Sequence, residues 1–197
     1  AATKADQIVL DIEDAVDPSQ KAASRDEVAK WLETHEAWVR INDRSSDFWS
    51  DDIDQLRDIP GLLGVMLAKT EDGSHVTETF DRLGGKTRVL ALVESAVGIE
   101  EAREIACARG TFRLAFGSGD YRRDTGTSVE DIAMAYPRSR LVVASRIGNL
   151  PGPIDGPTVG TSYGILREKS EHAVALGMTG KLCLHHDQIP VINEAIS

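Results

Sequence analysis

The 197-residue sequence is short of positive charge: 22 lysines and arginines face 32 aspartates and glutamates, for a formal net charge of −10. Nucleic acid is thereby excluded as the main partner, because there is no basic excess to release a polyanion's counterions. The acidic balance favours solubility and leaves room for a local basic pocket that takes an anionic substrate. Cysteine is scarce as well. Cys107 and Cys183, in "EIACARG" and "GKLCLHH", have neither metal-knuckle nor CxxC spacing and read as buried, reduced thiols. No stretch of eighteen apolar residues exists, so no membrane span is expected. The start, "AATKADQIVL", lacks the basic-then-apolar pattern of a signal peptide. These absences point to a soluble cytoplasmic protein, long enough for one domain over 1–197 with a sizeable core.

What the chain does have is a recurring short apolar run. The runs are "QIVLDI" (7–12), "AWVRI" (37–41), "GVMLA" (64–68), "RVLALV" (88–93), "FRLAF" (112–116), "RLVVAS" (140–145) and "KLCLH" (181–185). Most do not alternate with polar residues, so they read as strands buried on both faces. Between them lie segments of helical spacing. Ala22, Val28, Ala29 and Leu32 fall on one side of the first, and Ile99, Ala102, Ile105 and Ala106 on one side of another. A third segment stops at Gly177, and "DQIPVINEAI" reads as a last helix. Strand and helix in alternation, about 25 residues per unit, predict a parallel α/β sheet and a TIM (β/α)8 barrel. Only seven strands are counted, so the first unit of the barrel is expected to be missing. The Pro- and Gly-rich stretch 148–160 is expected to be an ordered βα loop.

In such a barrel the active site gathers at the carboxyl ends of the strands. The residues there are Asp11, Glu13 and Asp14; Arg40 and Asn42; Lys69 and Glu71; Glu94 and Ser95; Ser118 and Asp120; Ser145 and Arg146; His185 and His186. Converging carboxylates repel and raise one another's pKa, a conflict that a divalent cation resolves. With oxygen ligands and no zinc-spaced His/Cys cluster, the ion is Mg2+ or Mn2+. Glu94 and Asp120, at neighbouring strand ends, fit the one or two carboxylates that Mg2+ takes; each alone also reads as a helix N-terminal acid. Arg40, at the end of an apolar strand, needs a partner: a substrate carboxylate held bidentately, or a structural ion pair with Glu13 or Asp14. The glycines of "AFGSGDYRRDTG" suggest a tight turn near a ligand, but the spacing rejects a dinucleotide fingerprint. Arg122 and Arg123 read equally as phosphate contacts or as a solvated pair. His185 and His186 receive no catalytic role.

The motifs "VLDIEDAV" followed by Lys21 and Ser24-Arg25, "VRIN", "VMLAKTED", "ALVESAVGIEEAREIA", "LAFGSGDYRRDTG", "IDGP" and "GMTGKLCLHHDQI" run in order along almost the whole chain. Together they resemble the HpcH/HpaI aldolase and citrate lyase family, in particular its citrate lyase β-subunit-like, CoA-ester lyase branch. The resemblance implies a Mg2+-binding barrel that breaks or forms a carbon–carbon bond next to a carbonyl. It implies Glu94 and Asp120 as metal ligands, and Arg40 as holder of the oxoacid. Glu13 and Asp14 would lie behind the metal's waters or Arg40, and Lys69 would match the family's lysine. Substrate contacts are expected from Arg40, Ser95, Ser118 and Gly119. The partners implied are an acyl-CoA such as acetyl-CoA and a small oxoacid, in a homotrimer or a multiple of one. Two rival expectations are a metal-dependent pyruvate aldolase acting on free hydroxy-oxoacids, and a non-catalytic, ligand-binding subunit of a lyase complex. The aldolase branch uses a histidine base near its second strand, and residues 11–20 contain none. Departures from the family pattern are Ala68 and His186, where prolines are usual. The family's first strand and its C-terminal extension would lie before Ala1 and after Ser197, so further residues are expected at both ends.

Overall fold

A computed structural model describes residues 5–160 and 162–197. Seven parallel strands lie side by side in chain order: β1 (Val9–Asp11), β2 (Ala37–Ile41), β3 (Leu62–Leu67), β4 (Arg88–Val93), β5 (Thr111–Phe116), β6 (Ile154–Asp155) and β7 (Gly180–Lys181). Helices return the chain between them: α1 (Lys21–Leu32), α2 (Trp49–Leu56), α3 (Gly73–Arg82), α4 (Ala96–Glu100), α5 (Ala102–Cys107), α6 (Ser118–Thr125), α7 (Asp131–Ile147) and α8 (Tyr163–Ala175), with α9 (Ile189–Ile196) last. The sheet is curled. Three strand spacings in a flat sheet come to roughly 14 Å, yet Trp38 of β2 and Phe112 of β5 stack with ring centroids 5.5 Å apart.

The curl explains why the strands carry so little alternation. Trp38, Met66, Leu90, Leu92 and Ala115 point to the inner face and pack on one another. Val39, Ile41, Val65, Leu67, Val89, Ala91, Val93, Leu114 and Phe116 point outward and form a second core with the helices. Both sides are apolar because both are covered. At the amino-terminal ends of the strands the inner face opens into a cavity of about 1100 Å3, lined by Trp38, Leu90 and Phe112 and by Ile189 and Ile192 of α9. The bonded charges Glu13, Arg40 and Lys69 lie at the opposite end, with Glu94. β1 and β7 are not paired with each other among the described residues.

Several expectations need correction. "RLVVAS" is not a strand; it is the second half of α7. Met134, Arg138, Leu141 and Ser145 are buried at three- and four-residue spacing, while Val143 and Ile147 are exposed. A six-residue apolar run cannot by itself tell a strand from one buried helix stripe. The sixth strand lies instead in the stretch read as a loop, at Ile154–Asp155. Ser145 and Arg146 are therefore not strand-end residues. On α1, Ala22 is exposed, and Lys21, Arg25 and Leu32 are the buried residues. Cys107 is exposed and Cys183 half-buried, so neither thiol is buried as expected. The predicted face Ile99, Ala102, Ile105 and Ala106 is buried, although the segment breaks at Glu101 into α4 and α5. Gly177 follows α8 with φ +98°, the left-handed stop that its sequence suggested.

Candidate active site

Glu94 is the next inward position on β4 after Leu90 and Leu92, and this parity carries a carboxylate over the carboxyl-end rim into the sheet's concave side. It is 4% exposed. Its Oε1 accepts the backbone N–H of Lys69 at 2.8 Å. The neighbouring strand leaves space for the carboxylate: a Cβ on Gly117 would collide with Glu94 Oε2. Burial raises the Glu94 pKa to about 7; repulsion from Asp120 and Glu13 adds to this, against the Lys69 N–H bond and the pull of Arg40. Asp120 stands in the first turn of α6, just past β5, and pairs with the exposed Arg123 one turn on.

Facing them is a tightly bonded group of charges. Asp11 and Arg40 are register partners across β1 and β2, so their side chains share a face. Arg40 grips Asp11 with two bonds, Nε to Oδ1 at 2.8 Å and a terminal nitrogen to Oδ2 at 2.5 Å. Its other terminal nitrogen lies 3.2 Å from Glu13 Oε2. Lys69 Nζ donates to Glu13 Oε1 at 2.5 Å and to Asp14 Oδ1 at 3.4 Å. Lys69 has φ +45°, an uncommon left-handed conformation for a side-chain-bearing residue. That turn directs its N–H to Glu94 while its ammonium reaches Glu13.

Burial pushes Asp11 upward, but the Arg40 bond and the Glu13 N–H outweigh it and leave its pKa below the ordinary range. Asp14 is likewise lowered: burial opposes, and bonds to Glu13 and the nearby Lys69 and Arg40 prevail. For Glu13, burial wins over Lys69 and Arg40, and its pKa is raised. Arg40 and Lys69 are both raised despite burial, by Asp11 and by Glu13 respectively, so both are cations at neutral pH.

Ser95 caps α4: its hydroxyl accepts from the Gly98 N–H at 3.1 Å and donates to Glu71 at 2.5 Å. Ser118 and Gly119 open α6, where the first backbone N–H groups have no partner within the helix. A Cβ on Gly119 would meet open space. His185 and His186 are exposed. The structure thus brings Glu13, Asp14, Arg40, Lys69, Glu94 and Asp120 to one rim. It adds Asp11, which sequence reasoning put at a strand end and gave no part. Strand register is the signal that reveals it.

The donor set suits a hard divalent cation. Two carboxylates, one held buried against like charges that lift its pKa, are the oxygens such an ion takes. No cluster of three or more His, Cys, Asp or Glu side chains fit to hold a metal occurs among the described residues.

Residues 1–186 match the family model described as HpcH/HpaI aldolase/citrate lyase. The chain belongs to this family. A citrate lyase subunit beta-like protein of Mycobacterium tuberculosis is 33% identical over 209 residues, which cover 99% of this chain and 72% of the relative. The mitochondrial citramalyl-CoA lyase of Rattus norvegicus is 33% identical over 221 residues, covering 97% of this chain and 64% of the relative. Among solved structures, the M. tuberculosis citrate lyase beta subunit complexed with oxaloacetate and magnesium superimposes with a TM-score of 0.84 at 29% identity. That match covers 98% of this chain and 87% of the other. The family resemblance seen in the motifs is borne out, and HpcH/HpaI relatives bear the names of carbon–carbon lyases. No helix among the described residues is long and apolar enough to cross a membrane.

Proposed function

We propose that the protein is a Mg2+-dependent carbon–carbon lyase that cleaves or forms a β-hydroxyacyl-CoA, of the citryl-, malyl- or citramalyl-CoA type. The products are an acyl-CoA and a small oxoacid. One observation carries the reading: Glu94, its pKa lifted by burial and further by Asp120, faces two fixed cations, Arg40 and Lys69, across one rim. Glu94 and Asp120 would hold the ion, Mg2+ in the first instance and Mn2+ as the alternative. When bound, the ion supplies Lewis acidity toward substrate oxygens. The remaining work falls to the chain. Arg40, fixed by Asp11 and Glu13, has for the oxoacid carboxylate only the N–H groups that these two leave unused. Lys69 and Arg40 offer local N–H donors to the oxygen on which negative charge develops as the bond breaks. Glu13 and Asp14 keep Lys69 in place. Ser95, Ser118 and the N–H of Gly119 supply polar contacts to the substrate.

We read the curled sheet as that of a (β/α)8 barrel, on its strictly sequential strand order. We read the protein as a cytoplasmic homotrimer or a multiple of one, for which the exposed Ile132, Tyr136, Val143 and Ile147 of α7 offer an apolar stripe. The names of the relatives support CoA-ester chemistry. Assays of the purified protein with Mg2+ and malyl-, citryl- and citramalyl-CoA test it. We expect turnover of a CoA ester and none of the free hydroxy-oxoacid. Glu94→Gln and Asp120→Asn should each lose about 10²- to 10³-fold, several kcal/mol of barrier, with the fold intact. Cleavage of the free acid alone, oxoacid binding without turnover, or full activity in either variant would overturn the reading.

A further inference from the structure

The mechanism leaves unused a buried lysine. Lys21 opens α1 on the outer side of the sheet, and no carboxylate pairs with it among the described residues. Its ammonium instead donates to two backbone carbonyls, Ile12 at 3.0 Å and Glu13 at 2.7 Å, and lies 5.7 Å from the Phe48 ring centroid. A buried charge without a counter-charge is costly. Here it is spent on the two residues that lead from β1 into the acidic turn. Asn42 Nδ2 donates to the same Ile12 carbonyl at 3.2 Å and to Asp52 Oδ2 at 2.7 Å. Arg25 holds the other oxygen of Asp52 at 2.8 Å. The outer layer therefore grips the backbone from behind, at the point where the Glu13 carboxylate reaches Arg40 and Lys69 in front.

We propose that Lys21 is a positioning residue for the site: by fixing the Ile12 and Glu13 carbonyls it sets the Glu13 carboxylate between Arg40 and Lys69. The catalytic part of this proposal rests on the lyase reading above; the structural part does not. The Lys21 ammonium is bonded to the Ile12 and Glu13 carbonyls, so its effect passes through Glu13 and the Lys69 ammonium. A displacement of about 1 Å at such a distance from the chemistry can cost about 10²-fold in rate.

Crystal structures and kinetics of the full-length Lys21→Met variant test this. In the crystal, the Glu13 carboxylate should leave Lys69 while Glu94 stays in place; Glu13 held where it is in the wild type overturns the proposal. In kinetics, kcat should fall about 10²-fold, with KM and Mg2+ affinity unchanged within about twofold, and Lys21→Arg should recover part of the loss. A merely structural lysine would lower the melting temperature and leave the kcat of the folded protein alone, a result that also overturns the proposal. If Lys21→Met does not fold, Lys21→Gln, which keeps one donor in the same polar pocket, takes the same measurements. Should the wild type turn over no CoA ester, the lyase reading fails, and the crystal structures alone decide whether Lys21 sets Glu13.

Discussion

Glu94 shows how much of a site one residue's surroundings decide. Its folded pKa of about 7, against an ordinary 4.5, means that without a metal the folded protein favours the neutral acid below about pH 7. Between those values the folded state keeps a proton that the unfolded chain has released. Stability from this group therefore falls as pH rises through that window, by up to roughly 3 kcal/mol. Thermal melts of metal-free wild type and Glu94→Gln at pH 5 and pH 7.5 check this. The wild type should lose stability relative to the variant on going to the higher pH; parallel pH dependence would contradict it. At the residue scale the buried place of Glu94 at the rim was legible, because a carboxylate closing an apolar strand demands a reason; Asp120 lies further on, in the first turn of α6. Arg40's partner was half legible. Glu13 was foreseen, whereas Asp11 follows only once Asp11 and Arg40 are known to be in register. The left-handed Lys69 was not legible, since no glycine marks the position.

At the scale of elements, α7 is where reading and structure part. In a buried strand, Leu141 and Val143 lie on one face and share a fate. In α7, Leu141 is buried and Val143 is 53% exposed. Leu141→Ala should cost about 2–5 kcal/mol of unfolding free energy, and Val143→Ala no more than about 0.5, both read by urea denaturation. Equal losses would favour the strand. The true β6 was hidden by its length, two residues among prolines and glycines. Ile154 packs against the inner core, and Asp155 is held by a buried polar network. Asp155 accepts from Arg138 of α7 at 2.8 Å and from Lys181 of β7 at 2.7 Å. Polar residues with long-range partners leave no periodic trace, so such an element is not found by pattern. The same holds on α1, where Lys21 and Arg25 are buried through bonds to distant groups and not through hydrophobicity.

At the scale of the whole molecule, the alternation of apolar runs with helical segments was enough to foresee a parallel sheet with a charged cluster at its carboxyl-end rim. Five of the seven runs fall on β1 to β5, the part of the sheet that carries every proposed metal and catalytic residue. The curl that brings β1, β3 and β4 to bear on one point depends on side chains meeting across the inner face, as Trp38 and Phe112 do, and no local pattern records that. The central claim is that two acids from successive strand ends hold one hard cation together. Calorimetric titration of Mg2+ into the wild type, Glu94→Gln and Asp120→Asn tests it most directly. The account predicts a single site in the wild type, lost in both variants while their circular dichroism spectra stay the same. Wild-type Mg2+ binding in either variant would contradict it.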